Sequence, residues 1–394
     1  MVHFTGILLK LHFLQLNIII LTMKQDFKTA EFKKTREVHI GGNGNTERII
    51  IGGDSPVTIQ TMWKEGITDI KDNPKKIEKI VQQINSLKLL GCDIIRFAVP
   101  DMESAESFIQ ICRASTMPLV ADIHFDYKLA LKCLEGPVGA IRINPGNIGA
   151  RDRVEAVVNA CQDTGTAIRI GVNTGSLPHD LAEQVNRGKI SRALALSETA
   201  ARESAVFDEL NFNQFVVSMK ASSVQETIDA NEDFARRFEI PLHVGVTEAG
   251  PLITGVVKST LAFSHLLQEG IGNTIRVSLS SSPENEVVTG LEILRECGKR
   301  QGGIKLVSCP RCGRLGFDVH GFMQRWQNKL LSMKKDITVA VMGCVVNGPG
   351  EGKHADIGIA GAGGKAILFK KGVIVKTVDI EKADEVFEKL LNEF

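Results

Sequence analysis

The chain has 394 residues, 43% of them hydrophobic, enough to bury a sizeable core and to form two or three domains. Its 47 lysines and arginines against 46 aspartates and glutamates leave a formal charge of +1, so bulk electrostatics give no case for binding nucleic acid or an anionic membrane. Eight cysteines spread over so long a chain are unlike a small secreted disulfide scaffold, and they fit a reducing cytoplasm.

In chain order, residues 1–35 read as a leader outside the fold, disordered or belonging to a misassigned start. Phe4 to Thr22 is apolar enough to resemble a signal or anchor. Lys10, His12, Gln15 and Asn17 interrupt it, however, no small-residue cleavage pattern comes after it, and Met23 offers an alternative start. REVHIGG, NGNT and ERIIIGG, from Arg36 to Gly53, form two short strand patterns around an Asn/Gly turn, a hairpin expected to plug one end of the adjoining domain.

From Pro56 onward, eight runs rich in Val, Ile and Leu alternate with helical patterning. They begin at Pro56, Cys92, Pro118, Ala140, Ala167, Phe215, Pro241 and Thr274. This alternation is what a closed (β/α)8 TIM-type barrel requires, and the glycine fingerprint of an open doubly wound sheet is missing. The barrel, with its hairpin, is expected over 36–297 and a hinge linker over 298–303. A small α+β domain should occupy 304–394, with strands at Ile337–Met342, Ala366–Phe369 and Val373–Val378, a glycine-rich passage from Gly343 to Gly364, and a closing helix from Glu381.

Five of the eight runs hold a cation: Arg96, Arg142, Arg169, Lys220 and Arg276. A charge inside an apolar strand costs several kcal/mol unless something pairs with it. Side chains two or four apart share a strand face, which joins Asp122 to His124, Arg142 to Asn144, Arg169 to Asn173, Lys220 to Ser222 and Arg276 to Ser278. Each set falls toward the C-terminal part of its run, where barrel enzymes keep their active sites. Five cations converging there suit a compact polyanion such as a diphosphate, with arginine able to bind it in bidentate fashion. The plainer reading is that internal carboxylates such as Asp122 and Glu248 neutralise them. Glu248, in GVTEAG, ends an apolar run among small residues, where desolvation would suit it to general acid chemistry. His124 and His243 are positioners if they face the mouth, and otherwise core histidines.

Cys309 and Cys312 in CPRCG, with Cys344 in MGCVVNGPGE, supply three thiols without an obvious fourth. That pattern fits either a 4Fe-4S cluster with one unusual iron or a three-cysteine zinc site, with Glu351, His354, His320 and Cys297 as candidate fourth ligands. Cys92, Cys112, Cys133, Cys161 and Cys297 lie in apolar patterns and read as buried small residues.

ADIHFDYKLA, IRINPGNIG, RIGVNTGSL, VVSMKASS, VTEAGPLITG, CPRCGR and GCVVNGPGE, in this order, resemble the hydroxymethylbutenyl diphosphate synthases of the non-mevalonate isoprenoid pathway, from about Arg36 to the C-terminus. The resemblance implies a barrel joined to a 4Fe-4S domain, in the short form that lacks an extra domain between them. It implies reductive opening and dehydration of methylerythritol cyclodiphosphate to hydroxymethylbutenyl diphosphate. By the same carry-over, Cys309, Cys312, Cys344 and Glu351 would hold the cluster. Arg96, Arg142, Arg169, Asn173, Lys220, Arg276 and Ser278 would hold the diphosphate, Glu248 would donate the proton that releases water, and Asn347 would contact substrate. Asp122, His124 and His243 would stand behind these as further substrate-side positions. Also implied are a ferredoxin or flavodoxin as electron donor and a head-to-tail homodimer, with the active site between one subunit's barrel and its partner's cluster domain. The rival reading is a redox-inactive phosphosugar barrel carrying a zinc domain.

Overall fold

Around the Asn/Gly turn, β1 (Val38–Gly41) pairs antiparallel with β2 (Arg48–Ile51), Val38 lying opposite Ile51. The computed structural model describes residues 32–394 apart from Arg311, Leu315 and the side chains of Asn347, Pro349 and Glu351, so the expected leader falls almost wholly outside the described residues.

The eight apolar runs become eight parallel strands: β3 (Thr58–Met62), β4 (Ile94–Ala98), β5 (Leu119–Asp122), β6 (Ala140–Ile143), β7 (Ala167–Asn173), β8 (Phe215–Lys220), β9 (His243–Val244) and β10 (Thr274–Ile275). Their order is β8-β7-β6-β5-β4-β3-β10-β9. A bridge between Val217 and Leu242, with the Val217 N–H donating to the Pro241 carbonyl at 3.0 Å, brings the two ends together into a barrel. The intervening helices start where short polar side chains cap them. Asp101 accepts from the Ser104 N–H, Ser223 from that of Glu226, and Ser282, just before Pro283, from that of Asn285.

Strand alternation sorts the side chains into two populations. Ile95, Phe97, Leu119, Ala121, Ile141, Ile168, Ile170, Val217 and Ile275 point outward into one core shared with the helices. Their neighbours Ile94, Val120, Ala140, Ala167 and Val216 point inward and meet Val38, Ile40 and Ile51 of the hairpin. The hairpin is therefore a stopper at the N-terminal end of the barrel. Main-chain bonds hold it there, from Gly41 N–H to Gly139 O at 3.1 Å and from Glu47 N–H to Thr116 O at 2.8 Å.

The last helix of the barrel part, Pro283–Glu296, is followed by a stretch without helix or strand up to β11 (Lys305–Ser308). This stretch is pinned. Arg295 donates to Gly302 O and Ile304 O, and Arg300 donates to Gly91 O and to Asp93 Oδ1 at 2.9 Å. Any swing of the expected hinge has to break or carry these bonds.

Beyond it a five-stranded sheet runs in chain order, β11, β12 (Thr338–Met342), β13 (Ile357–Ala362), β14 (Lys365–Lys370) and β15 (Val373–Asp379), the first three parallel and the rest antiparallel. Helices Val319–Leu331 and Ala383–Leu391 cover one face through Phe322, Trp326 and Phe387, and Phe369 fills the other. Strand β13 lies within the passage that reads as glycine-rich in the sequence. Its glycines are packing residues: a Cβ on Gly358 would lie 2.1 Å from the Phe369 ring, and one on Gly361 2.1 Å from the Gly316 backbone. Among the described residues no helix is long and apolar enough to cross a membrane.

Candidate active site

Above the apolar layer at the stopper, the inward positions turn polar. Strand register sets Asp122 beside Arg142 and Arg142 beside Arg169, and it pairs Asn173 with Lys220. Arg96, Arg142, Arg169 and Lys220 are all buried and Arg276 is half-buried, so the five cations do converge inside the C-terminal end of the barrel.

They form three knots. In the first, Asp122 takes the Arg142 Nη1 at 2.9 Å and faces the Arg96 Nε at 3.3 Å, while His124 reaches the same Arg142 nitrogen at 2.7 Å. Burial pushes the Asp122 carboxyl up, but Arg96, the His124 hydrogen bond, Arg142 and Arg169 outweigh it and hold the group below the ordinary carboxylate range. Burial also draws the Arg96 guanidinium down to about 10 against the pull of Asp122.

In the second knot, the Arg169 Nη1 lies 2.9 Å from His243 Nδ1 and 3.4 Å from Gln60 Oε1, and the Lys220 Nζ lies 3.2 Å from His243 Nε2. Burial, then the neighbouring cations, lowers the basicity of both Lys220 and His243 well below their usual values. The third knot centres on Glu286, which accepts from Thr61 Oγ1 and Lys64 Nζ at 2.6 Å each and from the Leu279 N–H at 2.9 Å, and faces Arg276 Nη2 at 3.5 Å.

Two carboxylates against six basic side chains, counting Lys64, leave a strongly positive mouth. Among the described residues the Nε atoms of Arg96, Arg142, Arg169 and Arg276 are buried without a hydrogen-bond partner. That of Arg96 still faces the Asp122 carboxylate, which leaves orphaned donors on Arg142, Arg169 and Arg276, and these are what a polyanion site with several acceptor oxygens would use. Two glycines make room for this crowd: a Cβ on Gly171 would meet Arg142 Nε at 2.6 Å, and one on Gly245 would meet Lys220 Nζ at 2.7 Å. Ser278 is buried on the Arg276 face, and Asn173 caps the turn Thr174–Ser176 at the rim.

Glu248 departs from the desolvated setting expected for it. Strand β9 ends at Val244, the following residues turn, and Glu248 sits at φ 49° with its side chain exposed. Asp122 neutralises cations as expected, and the second neutralising carboxylate is Glu286 in place of Glu248. Nothing in the sequence singles out Glu286, Lys64, Gly171 or Gly245, and PENEVV reads as an ordinary acidic first turn of a helix.

In the C-terminal domain, Cys309 follows β11 and Cys344 follows the adjacent β12, so two of the three thiols leave neighbouring parallel strands at the same edge. The Gly343 N–H donates to Cys309 Sγ at 3.0 Å. Cys344 is buried, Cys309 half-buried and Cys312 exposed. Among the described residues no three such side chains are gathered tightly enough to hold a metal ion, and the side chains of Glu351 and Asn347 lie outside the described set. Three soft thiols on adjoining loops, one already accepting a backbone N–H, nevertheless fit an iron-sulfur cluster in chemistry and in topology. Of the remaining cysteines, Cys92, Cys112, Cys133 and Cys161 are buried, the Cys133 thiol being pushed up to about 12 by burial. Cys297 is only half-buried.

Comparison with known proteins agrees with this architecture. The family model described as the GcpE TIM-barrel domain matches residues 35–291, and that of the GcpE protein C-terminal domain matches residues 305–393. The chain is 57% identical over 370 residues to the 4-hydroxy-3-methylbut-2-en-1-yl diphosphate synthase (flavodoxin) of Treponema denticola, covering 90% of this chain and 94% of that one. The synthase of the same name from Clostridium acetobutylicum is 45% identical over 360 residues, covering 91% and 99%. Among solved structures, a Yersinia pestis dihydropteroate synthase matches with a TM-score of 0.44 at 13% identity, covering 66% of this chain and 97% of that one, a likeness too slight to bear on function. Matched in both its parts and aligned with these synthases over nine-tenths of its length, the chain belongs to the GcpE family.

Proposed function

We propose that this chain is an oxidoreductase that opens the ring of 2-C-methyl-D-erythritol 2,4-cyclodiphosphate and removes water, giving 4-hydroxy-3-methylbut-2-enyl diphosphate. Two electrons enter, one ring C–O bond breaks, the phosphate oxygen stays with the diphosphate, and a hydroxyl leaves as water after taking a proton. The observation that carries this reading is the set of buried arginine Nε atoms at the barrel mouth, those of Arg142, Arg169 and Arg276 without a hydrogen-bond partner and that of Arg96 with only its ion pair to Asp122, in a chain whose relatives are named for this synthase.

Arg96, Arg142, Arg169, Lys220 and Arg276 grip the diphosphate, with Asn173 and Ser278 completing its hydrogen bonds. Asp122, His124, His243 and Glu286 fix the directions of those cations. Glu248, exposed in the turn after β9, gives a proton to the departing hydroxyl once substrate covers it. Cys309, Cys312, Cys344 and Glu351 would hold a 4Fe-4S cluster, with Asn347 beside it. When bound, the cluster would supply the two electrons, with Glu351 as its one carboxylate ligand among thiolates. The barrel, 36–297, and the cluster part, 304–394, act together across two subunits of a homodimer in the cytoplasm. A flavodoxin, as in the names of the relatives, or a ferredoxin, is the electron donor.

The test is anaerobic purification of the full chain, followed by iron and sulfide assay and turnover of the cyclodiphosphate with a chemical reductant. Iron, sulfide and reductant-dependent turnover are expected. Stoichiometric zinc and a colourless protein would instead favour the phosphosugar barrel.

A further inference from the structure

The second knot of the mouth has a donor count that does not close in the ordinary protonation states. His243, 1% exposed, is contacted on both ring nitrogens, Nδ1 by Arg169 and Nε2 by Lys220. Arginine only donates, so the Arg169 contact requires a bare Nδ1 lone pair. A neutral imidazole with bare Nδ1 carries its proton on Nε2, where it points at the lysine nitrogen. An ammonium group has no lone pair to accept it. If His243 instead bore its proton on Nδ1, Lys220 would be satisfied and two donors would face each other across the 2.9 Å Arg169 contact. One arrangement satisfies both contacts, and in it Lys220 is an amine.

We propose that Lys220 is a neutral amine in the ligand-free barrel, accepting the Nε2–H of His243, and that an entering diphosphate turns it into an ammonium ion, so that binding takes up a proton. This rests on the reading of the mouth as a diphosphate site.

The surroundings of Lys220 are consistent with it. Arg169 on β7, Arg142 on β6, Arg96 on β4 and Arg276 after β10 all oppose a positive charge there. The nearby carboxylates are committed elsewhere, Asp122 on β5 to Arg96 and Arg142, and Glu286 to Lys64, Thr61 and Arg276. Glu248, after β9, is exposed. Among the described residues these carboxylates leave no counter-ion in contact with Lys220 to stabilise an ammonium until the ligand brings one. His243 is on this account a positioning residue, which sets the protonation state of Lys220 through its tautomer. Phosphate oxygens reverse the balance: the new ammonium donates to them, and the imidazole rotates or exchanges its tautomer. The proton comes from solvent. The complex holds more protons than the free protein, so affinity falls as pH rises between the free and the bound pKa of Lys220, by about tenfold per pH unit.

The experiment has two arms. Inorganic pyrophosphate is titrated calorimetrically into the full chain at about pH 8, in two buffers of different protonation enthalpy, for the wild type and for Lys220→Arg. The difference between the proteins cancels the probe's own titration, because arginine stays charged throughout. Wild type is expected to take up about one proton more per bound probe than the variant, and equal uptake overturns the proposal. The second arm uses ligand-free wild type, so it does not depend on the variant folding. Nitrogen-15 correlation spectra of the histidine rings, with His243→Gln to identify the signal, should show His243 neutral with its proton on Nε2. A proton on Nδ1 refutes the amine assignment. Failure of pyrophosphate to bind either protein, with the expected tautomer present, would overturn the diphosphate reading and the coupling while leaving the amine assignment standing.

Discussion

Replacing Glu286 by glutamine removes one negative charge and almost no volume, which isolates what that charge does. The side chain is 0% exposed and meets Lys64, Arg276, Thr61 and the Leu279 amide. A glutamine can keep its carbonyl oxygen toward Lys64 and Leu279 and turn its amide toward Thr61, whose hydroxyl accepts as readily as it donates. The hydrogen-bond geometry therefore survives and the loss is the counter-charge of two cations, one of them half-buried. Breaking a buried ion pair from one side typically costs about 3–5 kcal/mol. The surviving bonds and the partial exposure of Lys64 place the expected loss at the lower end, about 3 kcal/mol. For a barrel of this size that corresponds to a fall in Tm of about 6–12 °C. Thermal and urea unfolding of the ligand-free chain measure it, and added pyrophosphate should restore more stability to the variant than to the wild type, since the anion replaces the missing charge. Unfolding of Glu286→Gln at the wild-type midpoint would refute the reasoning.

Gly171→Ala places a Cβ against the Arg142 guanidinium, and should weaken pyrophosphate binding about tenfold with the fold intact; calorimetry checks both. Asp122→Asn should destabilise the barrel at neutral pH by roughly 3 kcal/mol or more. The Asp122 carboxyl is held low in the folded state, so its contribution is present above the unfolded carboxylate pKa of about 4 and is lost as pH falls through the folded value. The gap between the wild-type and variant urea midpoints should thus narrow below about pH 4 and stay constant above about pH 5. Glu248→Gln should retain iron and pyrophosphate affinity while turnover falls at least a hundredfold, about what a lost general acid removes; normal turnover would end its proton-donor role.

The barrel was legible because eight short apolar runs alternate regularly with helical patterning, and five of those runs carry a cation in step with the two-residue period of a strand. The same period marked Arg142 and Arg169 as inward. Strand β13 was not legible: IGIAGAGG carries the composition of a loop, and only the Phe369 ring and the Gly316 backbone across it explain why side chains are absent. Glu286 was hidden for a different reason. Its partner Thr61 lies 225 residues away in sequence, and nothing local separates a buried acidic residue in the first turn of a helix from a solvated one. The exposed position of Glu248 depends on a turn with positive φ after a strand of two residues, shorter than the apolar run that predicts it.

The hairpin sealing the lower end of the barrel makes the cavity a chamber with one door. Reactant and product must pass the same threshold in opposite directions, and so must water, protons and whatever delivers electrons from outside. If, as proposed, the cluster part of a partner subunit stands in that doorway, it also keeps the cargo from leaving. Turnover would then alternate between a shut and an open state, and a slow departure of that part would set the pace of the whole cycle even if bond breaking were fast.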